Sequence, residues 1–382
     1  TAAPCALAAC PLEALTTYAA GERLLQKDLA RTLRRIAQYG AAGFYEGPVA
    51  QAIVAELTTD TEHLSLKDLQ EYRVVVREPV QGSYRGFEVY SMPAPSSGGV
   101  HLLQILNLLE RYPLAEYGSG SAQTLHLMAE SARLAYADRA EHLGDPDFVK
   151  VPQAGLIAKK YADRLAPKIH ANRATPSAVV KAGAPQDFES DQTAHFSVMD
   201  AKGNVVSGTY TLNLNFGSGI VARGTGVLLN NEMDDFSVKS GVPNAFGLIG
   251  GNANEIAAGK RPLSSMTPII VFDGKVPVLA TGSTGGSRII TNVMQNLVNV
   301  IDFKMNIAQS LATPRMHHQW VPDYLRLERG FSPDTIALLK KMGHEVRILP
   351  VMGRMQTVQR QGNQLFGASD PRNPDGAAIG VD

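Results

Sequence analysis

The chain has 382 residues, 44% of them hydrophobic, which is ample for a large buried core. Its 36 basic and 36 acidic side chains cancel, so no long-range field draws in nucleic acid or an anionic membrane. The two cysteines, Cys5 and Cys10, are too few for a disulfide framework or a zinc site, and the apolar runs are too short to span a bilayer.

Residues 1–19 are alanine-rich and carry no basic stretch followed by an apolar core, so no secretory signal is visible. A helix is expected from Glu22 to Gly40, with Leu25, Leu29, Leu33 and Ile36 on one face. Further helices fit Pro48–Leu57 and Lys67–Tyr72. Strands are expected at Arg73–Val76 and Phe87–Tyr90, flanking a turn-rich stretch from Gln81 to Gly86. The loop Pro93–Gly99 leads into a helix with Leu102, Ile105, Leu106 and Leu109 on its apolar face. A longer helix follows, carrying Leu125, Met128, Ala129, Ala132 and Tyr136. Residues 171–192 are rich in proline, alanine, serine and charge, and read as an exposed linker.

The second half opens with strands. Phe196 and Val198 alternate with Ser197 and Met199, the period of a half-buried strand; Asp200–Asn204 supplies a turn, and a second strand runs from Val205 to about Leu212. Val227–Leu229 is a short apolar run. Thr267–Phe272 and Val276–Thr281 flank Asp273-Gly274-Lys275, a hairpin signal. Gly282–Ser287 opens a helix with Ile290, Val293, Met294, Leu297 and Ile301 inside. A last helix, Asp334–Met342, precedes a strand at Val346–Leu349. Helices, then strands, then helices imply stacked sheets covered by helices.

Four constellations carry chemistry. The first is Gln192-Thr193 with Thr211 and Asn213, which the hairpin returns toward it. A threonine hydroxyl needs a base, and the residue's own α-amine can serve if the chain is cut just before it. Taken alone, Thr193 reads as an ordinary strand threonine, and the residues downstream change that reading. The second is Asn230-Asn231-Glu232-Met233-Asp234-Asp235, dense in carboxylates and amides; it suits an ammonium or a hard cation, or is a solvated loop. The third is Ser264-Ser265 after Arg261-Pro262, two hydroxyl donors in a turn. The fourth is Thr281-Gly282-Ser283-Thr284-Gly285-Gly286-Ser287-Arg288, where glycines let backbone N–H groups approach a ligand at a helix start. It lacks the lysine of a phosphate loop. Ser96-Ser97 sits in no nucleophile elbow and reads as a structural turn. His317-His318 has no supporting ligand spacing, so no metal and no cofactor is expected. Trp320 reads as packing.

These motifs, in this order, resemble the gamma-glutamyltransferases (gamma-glutamyltranspeptidases) of the N-terminal-nucleophile hydrolases. The hairpin from Thr193 through Asn213, the Asn230–Phe236 segment, Arg261–Met266 and Gly282–Arg288 all fit. Tyr90–Gly99 and Tyr136-Ala137-Asp138-Arg139 also fit. The likeness runs from about Glu22 to Asp370-Pro371-Arg372.

The resemblance implies an α+β fold, a four-layer αββα sandwich, divided into residues 1–192 of a large-subunit region and 193–382 of a small-subunit region. It implies self-cleavage between Gln192 and Thr193. Thr193 is then the nucleophile, with Thr211 beside it. Asn213, Glu232 and Asp235 hold the α-amino end of a γ-glutamyl group, Ser264 and Ser265 its α-carboxylate. The N–H groups of Gly285 and Gly286 form the oxyanion hole, and Ser237–Phe246 is a lid. The implied activity is cleavage of the γ-amide of glutathione and related compounds, with transfer to water or to amino-acid and peptide acceptors. A heterodimer of the two cleavage products and a periplasmic or secreted location are implied with it.

Relatives carry a long stretch before the part that begins here near Glu22, supplying strands and an arginine for the substrate carboxylate. The chain is therefore expected to be incomplete at its N-terminus, as a fragment or a shortened relative. Phe246 replaces a lid tyrosine common among bacterial relatives. Two alternatives stay open: a catalytically impaired remnant, and a related acylase or poly-γ-glutamate depolymerase. Asp235 favours a substrate with a free α-amino group and so argues against the acylase.

Overall fold

The computed structural model describes residues 18–57, 64–185, 195–237, 239 and 241–381. Its strands in chain order are β1 (Val80–Tyr84), β2 (Phe87–Ser91), β3 (Phe196–Met199), β4 (Val205–Gly208), β5 (Val221–Ala222), β6 (Val227–Leu228), β7 (Ile269–Asp273), β8 (Val276–Ser283), β9 (Met316–His317), β10 (Leu325–Glu328), β11 (Val346–Leu349), β12 (Met355–Gln361) and β13 (Gln364–Ser369). The chain divides into two units.

The smaller unit holds the described residues up to Val74 together with Phe216–Leu229. Its helices are Lys27–Tyr39, Ala42–Tyr45, Gly47–Leu57 and Leu66–Glu71, beside the antiparallel pair β5–β6. Ser65 caps the last helix reciprocally with Asp68. A small apolar cluster of Val49, Ile53 and Ala222 holds the unit. The first helix starts at Lys27, not Glu22, and its buried residue is Thr32, whose hydroxyl donates to the Thr225 carbonyl at 2.8 Å. Leu25 and Leu33 of the expected apolar face are exposed.

The larger unit is built on a six-stranded sheet in the order β1-β2-β7-β8-β12-β13, with every neighbouring pair antiparallel. The helices Gly98–Leu109 and Arg288–Ile301 pack on this sheet, and Ala122–His142 packs on Gly98–Leu109. Their leucines, isoleucines and valines make one contiguous core. A smaller sheet, β11-β10-β9, lies beside the helices Ala122–His142 and Pro333–Lys341.

The hairpin β3–β4 packs on the sheet at β7, β8 and β12. Its register runs from Phe196↔Gly208 to Met199↔Val205, and Asp200 closes the turn by accepting from the Asn204 N–H at 2.8 Å. The placement follows from β8. The Thr281 hydroxyl accepts from Asn296 on the helix Arg288–Ile301, whereas a Cβ on Gly282 would stand 2.4 Å from the His195 ring. Adjacent strand residues point to opposite faces, so helix and hairpin cover opposite sides of the sheet. The larger unit thus has helix, sheet and hairpin layers, in keeping with an α+β architecture.

Several local features differ from the expectations. Arg73–Val76 forms no strand, and Val76 is 94% exposed. The strand is β1, inside the stretch read as turn-rich. A Cβ on its Gly82 would come 2.7 Å from Leu103, so glycine admits the helix packed there; only Arg85 and Gly86, with φ of 51° and 89°, turn the chain. β4 ends at Gly208, short of Leu212. Phe196 and Val198 are exposed, because His195 and Ser197, bonded to each other at 2.7 Å, take the sheet-facing side. The described part of the expected linker is largely exposed, as expected, but it is pinned at two points: Ser177 and Val180 are buried, and the Trp320 indole donates to both their carbonyls. β12 and β13 lie beyond the expected strands: β12 ends in the polar run Gln359-Arg360-Gln361, and β13 opens with four exposed residues, Gln364 to Gly367, so neither shows a clean apolar alternation.

Candidate active site

Gln192 and Thr193 lie outside the described residues. The described residues resume at His195, whose half-buried ring sits over Gly282 and is held down to a pKa of about 4 by the loss of water around it. The start of β3 is thereby set beside the end of β8, the strand that leads into Gly285-Gly286.

Beyond β4 the chain enters an amide-stitched loop. Asn213 has a φ of 69°, a left-handed conformation that asparagine tolerates. Its N–H donates to the Thr211 hydroxyl at 2.7 Å, and its side-chain amide donates to the Asn231 carbonyl at 3.1 Å and to Asp234 at 3.2 Å. Glu232–Asp235 form a single 3-10 turn that gathers three carboxylates. Burial raises the Glu232 pKa and Asp234 adds to this, against the Thr211 hydroxyl and the Asn213 N–H, which lower it. Asp235 is pushed up to about 7, first by burial and then by the Glu232 charge, while Arg139 pulls it down. Asn244 donates to the Asp235 carboxylate at 3.2 Å.

A second wall carries hydroxyls. Ser264 and Ser265 are buried in the turn ahead of β7. The Ser264 carbonyl accepts from both the N–H and the hydroxyl of Ser97, and its N–H donates to the Pro95 carbonyl at 2.8 Å. The two serines of Pro93–Gly99 are therefore braces, as expected: Ser96 donates to the Met266 carbonyl. Arg139, in the last turn of Ala122–His142 and fully buried, donates to Ser97 at 2.8 Å and to Ser265 at 3.0 Å. Burial lowers its pKa, and Asp235 opposes that. Asn254 ties the two walls, donating to the Asp235 carbonyl and accepting from the Leu263 N–H.

The third component is Gly285-Gly286, with φ of 130° and 58°. Among the described residues neither N–H has an acceptor. A Cβ on Gly286 would stand 2.3 Å from the Phe246 ring. Phe246 is fixed by Asn244, which accepts from its N–H, and by Gln319, which donates to its carbonyl. Since Asn244 also bonds Asp235, the glycine turn, Phe246 and the acidic wall form one connected set.

The arrangement offers an anion at Asp235, hydroxyls with a guanidinium at Ser264, Ser265 and Arg139, and free backbone N–H groups at Gly285-Gly286. These complement an ammonium, a carboxylate and an oxyanion. Arg139, Asn244 and Asn254 were not singled out as site residues from the sequence. A buried arginine on an otherwise apolar helix face was the available signal for the first; the two asparagines lie in loops without periodicity. His317 and His318 are buried and bonded within the protein, to Thr291 and Gln319 and to the Trp320 N–H respectively.

The family model for gamma-glutamyltranspeptidase matches residues 6–380. The glutathione hydrolase proenzyme of Escherichia coli (strain K12) is 51% identical over 362 residues, covering 94% of this chain and 62% of that relative. The proenzyme of the same description from Pseudomonas sp. (strain A14) is 46% identical, covering 94% of this chain and 64% of that one. The chain thus spans less than two thirds of the length of these relatives. Among solved structures, the cephalosporin acylase from Bacillus halodurans superposes with a TM-score of 0.78 at 27% identity, covering 91% of this chain and 61% of that one.

Proposed function

The chain belongs to the gamma-glutamyltranspeptidase family, and from that premise we propose that it acts as an autoprocessed γ-glutamyl hydrolase and transferase. Cleavage between Gln192 and Thr193 frees the Thr193 α-amine, and two fragments, 1–192 and 193–382, stay together as a heterodimer. An α-amine titrates near ~8, so it takes the hydroxyl proton near neutral pH while Oγ1 attacks the γ-carbonyl. Thr211 orients the hydroxyl or amine. The N–H groups of Gly285 and Gly286 receive the oxyanion, and the amine of the leaving group departs with the proton. A γ-glutamyl ester on Thr193 remains. Water then yields glutamate, and an amino acid or peptide yields a new γ-glutamyl compound.

One observation supports this reading above the rest: Asp235 and the Ser264-Ser265-Arg139 cluster are linked through Asn254 and by the attraction between Asp235 and Arg139. An anion facing donors fits the zwitterionic head of a γ-glutamyl group. In this proposal Asn213, Glu232 and Asp235 hold the ammonium, and Ser264 and Ser265, backed by Arg139, hold the carboxylate. Glutathione is the proposed donor, and the proposed location is periplasmic or secreted. No helix among the described residues is long and apolar enough to cross a membrane.

Hydrolysis of γ-glutamyl-p-nitroanilide by the parent and by Thr193→Ala tests the proposal. Release of nitroaniline by the parent alone supports it; equal release by both removes Thr193 from the chemistry. The likeness to a cephalosporin acylase favours a second reading, an acylase on the same nucleophile. Hydrolysis of a glutaryl anilide in preference to the γ-glutamyl one would select that reading.

A further inference from the structure

His126 and Glu130 stand four residues apart on the helix Ala122–His142, and therefore on one face. His344, in the turn before β11, reaches the same place. All three are buried, and one ligand atom from each lies within 4.8 Å of the others. None of them belongs to the γ-glutamyl pocket described above.

The hydrogen bonds assign the ring tautomers. His126 Nε2 meets the His170 carbonyl at 2.7 Å. A carbonyl only accepts, so Nε2 carries the hydrogen and Nδ1 presents a lone pair. That lone pair faces His344 Nε2 at 2.8 Å, which must then carry its own hydrogen. His344 Nδ1 is left buried and without a partner. Glu130 is oriented from outside: one oxygen accepts from Arg133 at 3.0 Å, the other from the Thr175 N–H at 3.0 Å. Outer contacts of this kind orient histidine and carboxylate ligands in metal sites. A cavity of about 240 Å³, lined by Arg133, Thr175, His318, Asp323 and His344 among others, adjoins the cluster. A water occupies roughly 30 Å³, so the cavity has room for one more ligand.

We propose that His126 Nδ1, His344 Nε2 and Glu130 bind a divalent ion of the zinc class, with water from the adjoining cavity as fourth ligand. The ion replaces the hydrogen between the two rings. That proton moves to His344 Nδ1, on the same ring, so both histidines stay neutral and none is released. The two nitrogens separate by only about half an ångström to reach zinc–nitrogen distances of ~2.0–2.1 Å. The positive charge of Arg133 opposes the ion, and Asp323, bonded to Arg133, offsets it. The ion would pin the middle of a long core helix to the turn before β11.

The test uses the full chain, stripped with a chelator and titrated with Zn²⁺ or Co²⁺ alone. One ion per chain, a visible Co²⁺ absorption and a Zn²⁺-dependent rise in Tm are expected. His126→Ala and His344→Ala should lose all three. Glu130→Gln, which keeps the side-chain shape, should weaken binding ~10-fold or more and decides the matter if the histidine variants fail to fold. His142→Ala, remote from the cluster, should bind as the parent does. No stoichiometric uptake by the parent overturns the proposal, as does uptake undiminished in Glu130→Gln and the folded histidine variants.

Discussion

Replacing Asp235 by asparagine keeps its size and its contact with Asn244 while removing one negative charge from the acidic wall. In the proposed complex that charge meets the substrate ammonium in a partly desolvated pocket. Removing it should cost about 2–4 kcal/mol in transition-state binding, the range for a charge-assisted contact that leaves a charge unpaired. At ~1.4 kcal/mol per factor of ten, kcat/KM for γ-glutamyl-p-nitroanilide should fall about 30- to 700-fold. γ-Glutaryl-p-nitroanilide, which lacks the α-amino group, provides the internal control and should be turned over no worse by the variant. The free enzyme should also show an acid limb. Asp235 titrates near 7, so kcat/KM for the γ-glutamyl substrate should drop as pH falls through that value and protonation removes the charge. Asp235→Asn should remove the Asp235 contribution and leave the acid limb of the Thr193 α-amine, which both substrates share. Stability should move the other way. A carboxyl whose folded pKa is raised above 3.8 penalises the fold once it ionises, and the penalty grows between pH 3.8 and about 7. The variant should therefore gain Tm relative to the parent at pH 8 and lose that gain near pH 4. Equal losses on both substrates, or no loss on either, would refute the assignment of Asp235 to the ammonium.

Arg139→Lys keeps a charge but loses the fork that reaches Ser97 and Ser265 together; KM should rise at least tenfold, and Tm should fall because the brace on the Ser264-Ser265 turn loosens. Gly286→Ala sets a Cβ 2.3 Å from the Phe246 ring at a φ of 58°; kcat should fall ~10²-fold or more, as for loss of an oxyanion donor, with KM little changed in steady-state assays. Thr193→Ala should remain a single chain by intact-mass measurement under conditions in which the parent separates into 1–192 and 193–382.

The sequence made much of this architecture legible where periodicity and turn chemistry agreed. The core helices Gly98–Leu109 and Arg288–Ile301, the β7–β8 hairpin across Asp273-Gly274-Lys275 and the strand β11 were all readable in this way. What was not readable depended on partners distant in sequence. Val74, Val75 and Val76 look like a strand but pair with none among the described residues, whereas Gly82 looks like a turn and is a strand residue with Leu103 packed over it. Phe196 and Val198 have the right alternation and the opposite facing, set by where His195 meets Gly282. Of the site, Asp235 and Ser264-Ser265 could be named from local chemistry and the resemblance. That Arg139 reaches from 126 positions away to Ser265, and that Asn254 bridges the two walls, follows only from the packing.

The measurement that bears most directly on the proposed mechanism is trapping of the covalent intermediate. The processed protein is mixed briefly with γ-glutamyl-p-nitroanilide, quenched in acid and digested, and the peptides are weighed. A single glutamyl increment is expected on the peptide that begins at Thr193, bound as an ester and removed by mild base or hydroxylamine. Thr193→Ala should carry none. Rapid nitroaniline release with no increment on that peptide, or an increment on another residue that persists in Thr193→Ala, would contradict the proposed mechanism.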